Sequence, residues 1–198
     1  MPKRRQYRWW EGLLFYAAVQ TTALGIRSLV RRTRSAPRRS ADRVLYCRQR
    51  LPWFAPPAAA FPIAWTINSV CATAGGLHVL NGSPHRPGTR EFLRYQAAAW
   101  ALYAGFTTAY FELDSPLNGA AITAAYTVAT AASIRAAWRM KDRAAVLSLL
   151  PTAAWLALAN PLALQVAASN PDRFWHTPAL AERVGRVQRM SGAERVIR

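Results

Sequence analysis

Long apolar segments alternate with short basic segments along the chain. Five segments carry almost no charge, at residues 9–26, 61–80, 95–111, 117–138 and 144–169. Each has about the 17 to 25 residues that an α-helix needs to cross a bilayer. The pattern predicts an all-α membrane protein, a bundle of five transmembrane helices with a long basic first loop and termini on opposite membrane faces. Residues 1–8 form a basic flank, 9–170 the helical domain and 171–198 a basic tail.

The charge balance fits the same interpretation. The 198 residues include 26 Lys and Arg against 9 Asp and Glu, a net charge of +17. Such an excess is also typical of nucleic-acid-binding proteins, so a soluble basic helical domain is the alternative. Here the basic residues lie between the apolar segments, as in the cytoplasmic flanks of membrane helices. We therefore expect membrane lipids and no nucleic acid as partners, with the first loop and the tail in the cytoplasm.

Both ends of the chain carry signals of a membrane surface. Trp9 and Trp10 follow a basic flank, which marks a membrane–water interface. A cleavable signal peptide is the competing interpretation, because residues 23–25 resemble a cleavage site. Between residues 27 and 50 nine arginines accompany one acid, which predicts a solvated loop that touches anionic headgroups. The tail carries apolar residues at the spacing of an amphipathic surface helix, namely Leu180, Val184, Val187 and Met190.

A proline-rich segment precedes the second span. Pro56 and Pro57 exclude a helix and hold the chain extended. Pro62 lies where a helix tolerates proline, in the first turn. The helix that follows carries four residues on one face, namely Phe61, Trp65, Asn68 and Ala72. The segment predicts a stiff loop that delivers this face into an apolar medium.

The spans offer little reactive chemistry. Spans two to five hold no acid in their interior, and the chain has no glycine-rich phosphate loop or Cys-x-x-Cys pair. This argues against proton-coupled transport and acid–base hydrolysis. Cys47 and Cys71 indicate neither a disulfide nor a metal site, and His78 is either a haem ligand or a hydrogen-bonding residue at the interface. The aromatic and small residues that remain suit a flat apolar ligand or pack the helices together.

Three motifs carry a family resemblance. Trp53 and Pro56-Pro57 precede Phe61-Pro62-Ile63-Ala64-Trp65-Thr66, and Phe106-Thr107-Thr108-Ala109-Tyr110-Phe111 lies in the third span. The fifth span keeps five residues at fixed spacing, namely Pro151, Trp155, Ala159, Leu162 and Asn170. Between residues 53 and 170 the chain resembles the TspO/MBR family, the translocator or tryptophan-rich sensory proteins. The first motif is the most specific of the three.

The resemblance implies a five-helix dimer that binds a tetrapyrrole, such as protoporphyrin or haem, beneath the first loop. Its expected role is that of a sensor or carrier in a bacterial plasma membrane and not of an enzyme, unless it shares the light-dependent porphyrin breakdown proposed for the family. Three positions depart from the family pattern: Ala163 replaces an Asn, Phe106 a Trp, and Ile122 or a neighbour an acid. The animal cholesterol motif is not present either, since no Tyr follows Asn170. A second function therefore stays open, that of an accessory subunit of a membrane complex that has lost the pocket.

The predicted ligand pocket joins three helical faces under the first loop. Its residues are Phe61, Trp65 and Asn68 from span two, Phe106 and Tyr110 from span three, and Trp155, Ala159, Asn160, Leu162 and Ala163 from span five. We expect Trp53 to close it from above, and Ala159 and Ala163 to leave room for a planar ligand. Asn68 and Asn160 are expected to meet the polar edge of the ligand. Asn160 could also be the polar partner of the backbone carbonyl that loses its helical hydrogen-bond donor because of Pro161.

A stripe of small residues runs along the fourth span. Ala121, Ala125 and Ala129 recur every four residues, a spacing that lets membrane helices approach closely. The stripe predicts either a homodimer contact or packing inside one bundle. The sequence leaves both open.

Overall fold

A computed structural model describes residues 6–33, 42–82 and 86–180. The regular elements of this part of the chain are all helical, without a named strand. Its elements are α1 (Trp9–Thr33), α2 (Asp42–Arg48), α3 (Ala60–Asn81), α4 (Thr89–Thr107), a π-helical turn (Thr108–Glu112), α5 (Pro116–Arg139) and α6 (Arg143–Ser169). Four parts of the chain discussed above lie outside the described residues. They are the arginines of residues 1–5, part of the first loop, part of the turn between the second and third spans, and the predicted surface helix of the tail beyond Leu180.

Three of the described helices, α1, α3 and α6, are long and apolar enough to cross a membrane. The other two long helices differ in composition. α4 begins with Arg90, Glu91 and Arg94, which lower its hydropathy, and α5 consists largely of alanine and threonine. Both nevertheless belong to the bundle. α5 packs along α4 on one side and along α6 on the other, and α4 also contacts α1.

Local signals explain where these helices begin and end. α5 begins at Pro116 behind Ser115, whose hydroxyl accepts a hydrogen bond from the Asn118 amide at 3.1 Å. α6 begins in the same way behind Asp142, which accepts from the Ala145 amide. Pro62 lies in the first turn of α3, as predicted. As a result α3, α5 and α6 match the predicted spans to within one residue at each end.

The first helix is seven residues longer than predicted. Arg27 and Arg31 were expected in a solvated loop, but both belong to α1 and bind the Glu112 carboxylate at 2.6 Å. Glu112 lies just past the third predicted span and is buried. Because a buried carboxylate needs charged partners, it holds the last turns of α1 against the bundle.

The end of the bundle that holds the carboxyl terminus of α3 has a solid apolar core. Its buried residues are Ala72, Val79, Phe92, Ala136, Ala137, Met140, Ala145 and Leu149. α3 and α6 come so close here that a Cβ atom on Gly75 would overlap the Ser148 hydroxyl. The small residues let the helix backbones approach each other, as is common where membrane helices pack.

Two helix ends are each joined to a distant backbone segment by a pair of hydrogen bonds. The Asn81 side chain, at the end of α3, bonds the backbone of Tyr7 through both its oxygen (2.6 Å) and its nitrogen (2.8 Å). The Asn170 side chain, at the end of α6, bonds the backbone of Arg50 in the same way. α1 therefore begins at one end of the bundle and α6 finishes at the other, beside the first loop.

Candidate ligand-binding site

A cavity of about 650 Å³ occupies the half of the bundle next to the first loop. It lies among the amino-terminal halves of α3 and α5, the carboxyl-terminal halves of α4 and α6, and the middle of α1. Tyr46 of α2 and Ala58 of the following loop cover it. The solid core and this cavity thus occupy opposite ends of the same helices.

Eight of the eleven predicted site residues line this cavity. They are Phe61, Trp65, Phe106, Tyr110, Trp155, Ala159, Leu162 and Ala163. They come together because each lies on the inward face of α3, α4, the π-helical turn or α6, in the half of its element that is nearest the first loop. The three helical faces predicted to converge do so.

Aromatic rings in mutual contact line much of the cavity. Phe61 meets Trp155 with ring centroids 5.3 Å apart and planes at 86°. Trp65 contacts both Tyr103 (5.2 Å) and Tyr126 (5.6 Å). Aromatic contacts of this kind are favourable and restrict ring rotation, so the rings present fixed surfaces to the interior.

The π-helical turn places Tyr110 at the mouth of the cavity. α4 was expected to continue to residue 111, but its regular hydrogen bonding ends at Thr107 and the turn follows. The Tyr110 ring packs on Gly119, where a Cβ atom would lie 2.7 Å from its Cδ2. Its hydroxyl donates to Oε1 of Gln49 in the first loop. π-helical turns are frequent at functional sites, and here the turn connects α4, α5 and the loop.

Small residues line other parts of the cavity. Gly119, Ala120, Ala159 and Ala163 all line it, and their short side chains create the open volume. None of the described lining residues carries a charge. Gln20 of α1 adds a polar group, since its Nε2 donates to the Tyr103 hydroxyl at 3.2 Å and to that of Tyr16 at 2.6 Å. The site is therefore apolar and aromatic, with a few neutral polar groups.

Charged residues gather at the rim of the cavity and not inside it. The hydrogen bond from Arg31, together with Arg27, lowers the pKa of Glu112 below its ordinary value despite its burial. The carboxylate therefore stays ionised and paired at neutral pH. The rim is rigid at this point, because one acid joins α1 to the π-helical turn.

The cover of the cavity is held by hydrogen bonds to the first loop. The Tyr46 hydroxyl donates to the Pro56 carbonyl at 2.9 Å, and its ring meets Phe61 at 5.1 Å. Burial raises the pKa of Tyr46, with a smaller contribution from Cys47, so the hydroxyl remains a donor at physiological pH. The two adjacent prolines stiffen the same segment.

Trp53 does not close the cavity from above, as the sequence had suggested. Its side chain is 95% exposed and contacts Phe54, with ring centroids 5.7 Å apart. The turn that follows Pro52 directs it outwards, and Tyr46 takes the covering position. An exposed tryptophan at this end of the bundle is typical of a residue at a membrane–water interface.

Asn68 and Asn160 also lie outside the cavity. Asn68 shares the face of Phe61 and Trp65, but by its depth α3 has closed against α6 and the cavity has ended. Asn160 donates to Thr127 Oγ1 (2.7 Å) and to the Leu156 carbonyl (2.8 Å), and not to the carbonyl that Pro161 leaves without a donor. α6 continues through both of its prolines.

Asn68 instead lines a second, open space, which we call the outer groove. It measures about 340 Å³ and lies between α3 and α6, bounded by Ala64, Ile67, Asn68, Pro151, Ala154, Trp155 and Leu158. Trp155 is the residue that the outer groove shares with the cavity.

His78, a haem-ligand candidate in the sequence, lies at the other end of the bundle, with its Nε2 3.0 Å from an Asp142 oxygen.

Several lining residues were missed by the sequence reasoning. Gln20, Tyr46, Tyr103 and Tyr126 all face the cavity, although α1, α2 and α5 were not assigned to it. A signal was present, because a glutamine in an apolar span needs a polar partner or a polar space. Tyrosines in the middle of two spans carry a weaker form of the same signal.

Comparison with protein families decides the assignment. The model of the TspO/MBR family matches residues 16–168 of the 198-residue chain. The chain belongs to the TspO/MBR family. The resemblance seen in its motifs is thereby confirmed, and the protein is a membrane protein of a family of membrane sensor and ligand-binding proteins. No curated protein matches the chain.

The structure shows where the departures from the TspO/MBR pattern lie. Phe106, Ile122 and Ala163 all line the cavity; in the sequence, Phe106, Ala163 and Ile122 or a neighbour are the departures from the family pattern. At these three positions the wall is apolar.

Proposed function

We propose that this TspO/MBR protein binds a flat hydrophobic ligand of the tetrapyrrole class in the cavity, as a sensor or carrier. The observation that supports this most directly is the 650 Å³ cavity, whose wall consists largely of aromatic rings and alanines. Its volume lies within the range of about 300 to 1,000 Å³ that is common for small-molecule sites. A planar macrocycle can stack on the rings, and the small side chains leave the volume that it needs.

The charge distribution supports one orientation of such a ligand. The described wall of the cavity is uncharged, whereas Arg27 and Arg31 lie at its rim, where they pair with Glu112 next to the lining residue Phe111. A porphyrin would place its apolar edge inside the bundle and its carboxylates towards this rim. The apolar departures at Phe106, Ile122 and Ala163 favour macrocycles with few polar substituents.

The proposal is tested by titrating detergent-purified protein with protoporphyrin IX and following the absorption band. Trp65→Ala removes a stacking surface, and Ala159→Phe fills the cavity. Each should weaken binding more than about tenfold, which is 1.4 kcal/mol, with helical content unchanged. Ala154→Phe is the matched control, because Ala154 lies on the same helix outside the cavity. If the parent binds nothing, or both variants bind as well as the parent, the proposal is refuted.

The apolar departures also favour a second candidate, an accessory subunit of a membrane complex that keeps the scaffold without a ligand. The same titration separates the two functions, because an accessory subunit takes up no porphyrin and co-purifies with other membrane proteins. In both cases we propose no catalytic role. The absorption of bound protoporphyrin should therefore decay under illumination no faster in the parent than in Trp65→Ala at equal occupancy.

We further propose that all five long helices cross the membrane, with the first loop on the cytoplasmic side of a bacterial plasma membrane. Exposed tryptophans support this placement, since Trp9, Trp10 and Trp138 lie at one end of the bundle and Trp53 and Trp175 at the other. Such residues collect at the two membrane interfaces. Reporter fusions after residues 40, 85, 114 and 141 test the topology. Alternation of the reporter signal supports five spans, and a constant signal across α4 and α5 contradicts them.

A further inference from the structure

A buried amide nitrogen without a hydrogen-bond partner belongs to a residue of the outer groove. Asn68 lies on its wall and is only 3% exposed. Within residues 6–33, 42–82 and 86–180, its Nδ2 has no hydrogen-bond partner. Leaving a buried donor unsatisfied costs on the order of 1–3 kcal/mol, and membrane interiors hold no bulk water to reduce that cost. A polar residue at this depth in a membrane helix indicates a function.

The depth of Asn68 limits what can satisfy it. α3 has 22 residues, about 33 Å at 1.5 Å per residue, which matches the hydrocarbon thickness of a bilayer. Asn68 is its ninth residue, so its Cα lies about 4 Å from the helix midpoint. The ester and phosphate oxygens of phospholipids lie near the two interfaces, far from this level. The partner must therefore be a molecule that dissolves in the middle of the bilayer.

The walls of the outer groove define the chemistry of that molecule further. Pro151, Ala154 and Leu158 are apolar, and Trp155 offers part of an aromatic ring. The described wall carries no charge and no carboxylate that could receive a hydrogen bond from a ligand. A suitable molecule has an acceptor oxygen, lacks charge and strong donors, and has a flat body that can lie against an indole. Neutral lipid-soluble ketones and quinones meet these requirements.

We propose that the outer groove between α3 and α6 is a second ligand site, which takes the carbonyl end of a neutral membrane-dissolved quinone or ketone. The Asn68 Nδ2 donates to the carbonyl oxygen, and the ring of the ligand lies beside Trp155. This site opens towards the bilayer, in contrast to the covered cavity. It is independent of the proposed tetrapyrrole site, apart from the indole that the two share.

Two alanines on α6 provide matched variants for a test. Ala154 lines the outer groove and Ala159 lines the cavity, and each is absent from the lining of the other space.

The probe is an azido-substituted ubiquinone with a short tail. It is photolysed in the presence of the full-length protein in lipid nanodiscs, with and without decylubiquinone as a competitor. Adducts are located by mass spectrometry of the digested protein. In the parent, competed adducts should map to residues 64–68 and 151–158.

The proposal predicts that only one of the two phenylalanine variants reduces the labelling by the quinone probe. Ala154→Phe should reduce the competed adducts at these residues at least tenfold, whereas Ala159→Phe should leave them unchanged. The proposal is overturned if Ala159→Phe abolishes the adducts and Ala154→Phe does not, because the quinone then binds in the cavity. It is also overturned if Ala154→Phe converts a dimer into a monomer with the adduct yield unaltered, because the groove is then a contact between two copies.

Asn68→Leu separates a ligand-binding role from a structural one. The variant removes the amide and keeps a similar volume, so decylubiquinone should compete about fivefold less well, as expected for one lost hydrogen bond. Its thermal stability without quinone should be equal to or above that of the parent, because an unpaired buried donor has been removed. A variant that loses stability and competes normally would show that Asn68 serves the fold, and the proposal would fail.

Discussion

Asn170 and Arg50 lie 120 positions apart and are joined by two hydrogen bonds. The Asn170 Oδ1 accepts from the Arg50 amide at 2.8 Å, and its Nδ2 donates to the Arg50 carbonyl at 3.2 Å. The same Nδ2 also donates to the Val166 carbonyl in the last turn of α6. A single side chain thus caps a helix and anchors the loop that covers the cavity. Asn81 and Tyr7 repeat this arrangement at the other end of the bundle, on an exposed surface.

The first prediction compares these two asparagines. Asn170→Ala should lower the free energy of unfolding by about 1–3 kcal/mol, because buried backbone groups lose their partners. Asn81→Ala should lower it by less, since water replaces the exposed bonds. Only Asn170→Ala should also weaken protoporphyrin binding, because only it releases the cover. Thermal unfolding in detergent, with and without porphyrin, measures both effects, and equal losses in the two variants would contradict the burial argument.

The second prediction concerns the contact between Tyr110 and Gly119. Gly119→Ala should destabilise the protein by about 1–3 kcal/mol, because its Cβ atom would press on the ring and displace it. Gly105→Ala is the matched control, since a Cβ atom there meets nothing within 4 Å. It should stabilise α4 by up to about 1 kcal/mol through helix propensity. Unfolding temperatures of the two variants are compared, and a neutral Gly119→Ala would show that the turn adapts.

The third prediction is a pH dependence at Glu112. Its pKa is lowered in the folded state from an ordinary value of 4.5, so its contribution to stability is fully present above about pH 4.5. That contribution is lost as the pH falls through the folded-state pKa. Glu112→Gln should cost on the order of 1–3 kcal/mol at pH 7, and the difference from the parent should shrink in acid.

The control for Glu112 is another acid that pairs with an arginine. Glu91 bonds Arg139, but both side chains are about half exposed, and exposed pairs contribute little. Glu91→Gln should therefore leave the unfolding temperature nearly unchanged at every pH. A Glu112→Gln variant with a pH-independent deficit would contradict the role of ionisation.

The fourth prediction divides the alanine stripe of α5. Ala121 and Ala125 are exposed and Ala129 is buried inside the bundle. Ala125→Leu should weaken a homodimer, raising its dissociation constant about tenfold, or 1.4 kcal/mol, while Ala129→Leu should lower thermal stability through overpacking. Analytical ultracentrifugation in detergent measures the first effect. If Ala125→Leu stays dimeric, another surface forms the dimer.

The sequence alone determined the bounds of three helices and much of the cavity wall. The apolar runs of α3, α5 and α6 end at prolines, caps or charges, and these local signals set helix bounds without help from neighbours. The period of 3.6 residues placed Phe61 and Trp65 on one face, and Trp155, Ala159 and Leu162 on another, because residues on one helical face stay together whatever the helix packs against. The family motifs lie on the same faces.

Only the tertiary structure decided how deep the cavity reaches and what covers it. Asn68 shares the face of Trp65, yet the close approach of Gly75 to α6 ends the cavity above it, and no periodicity records the distance between two helices. Trp53 turns outwards and Tyr46 takes the covering place, because the loop path depends on hydrogen bonds to distant residues such as Asn170. Arg27 is helical because it pairs with Glu112, 85 positions away. Local patterns follow from the backbone of one helix, whereas these features depend on contacts between helices that the order of residues does not specify.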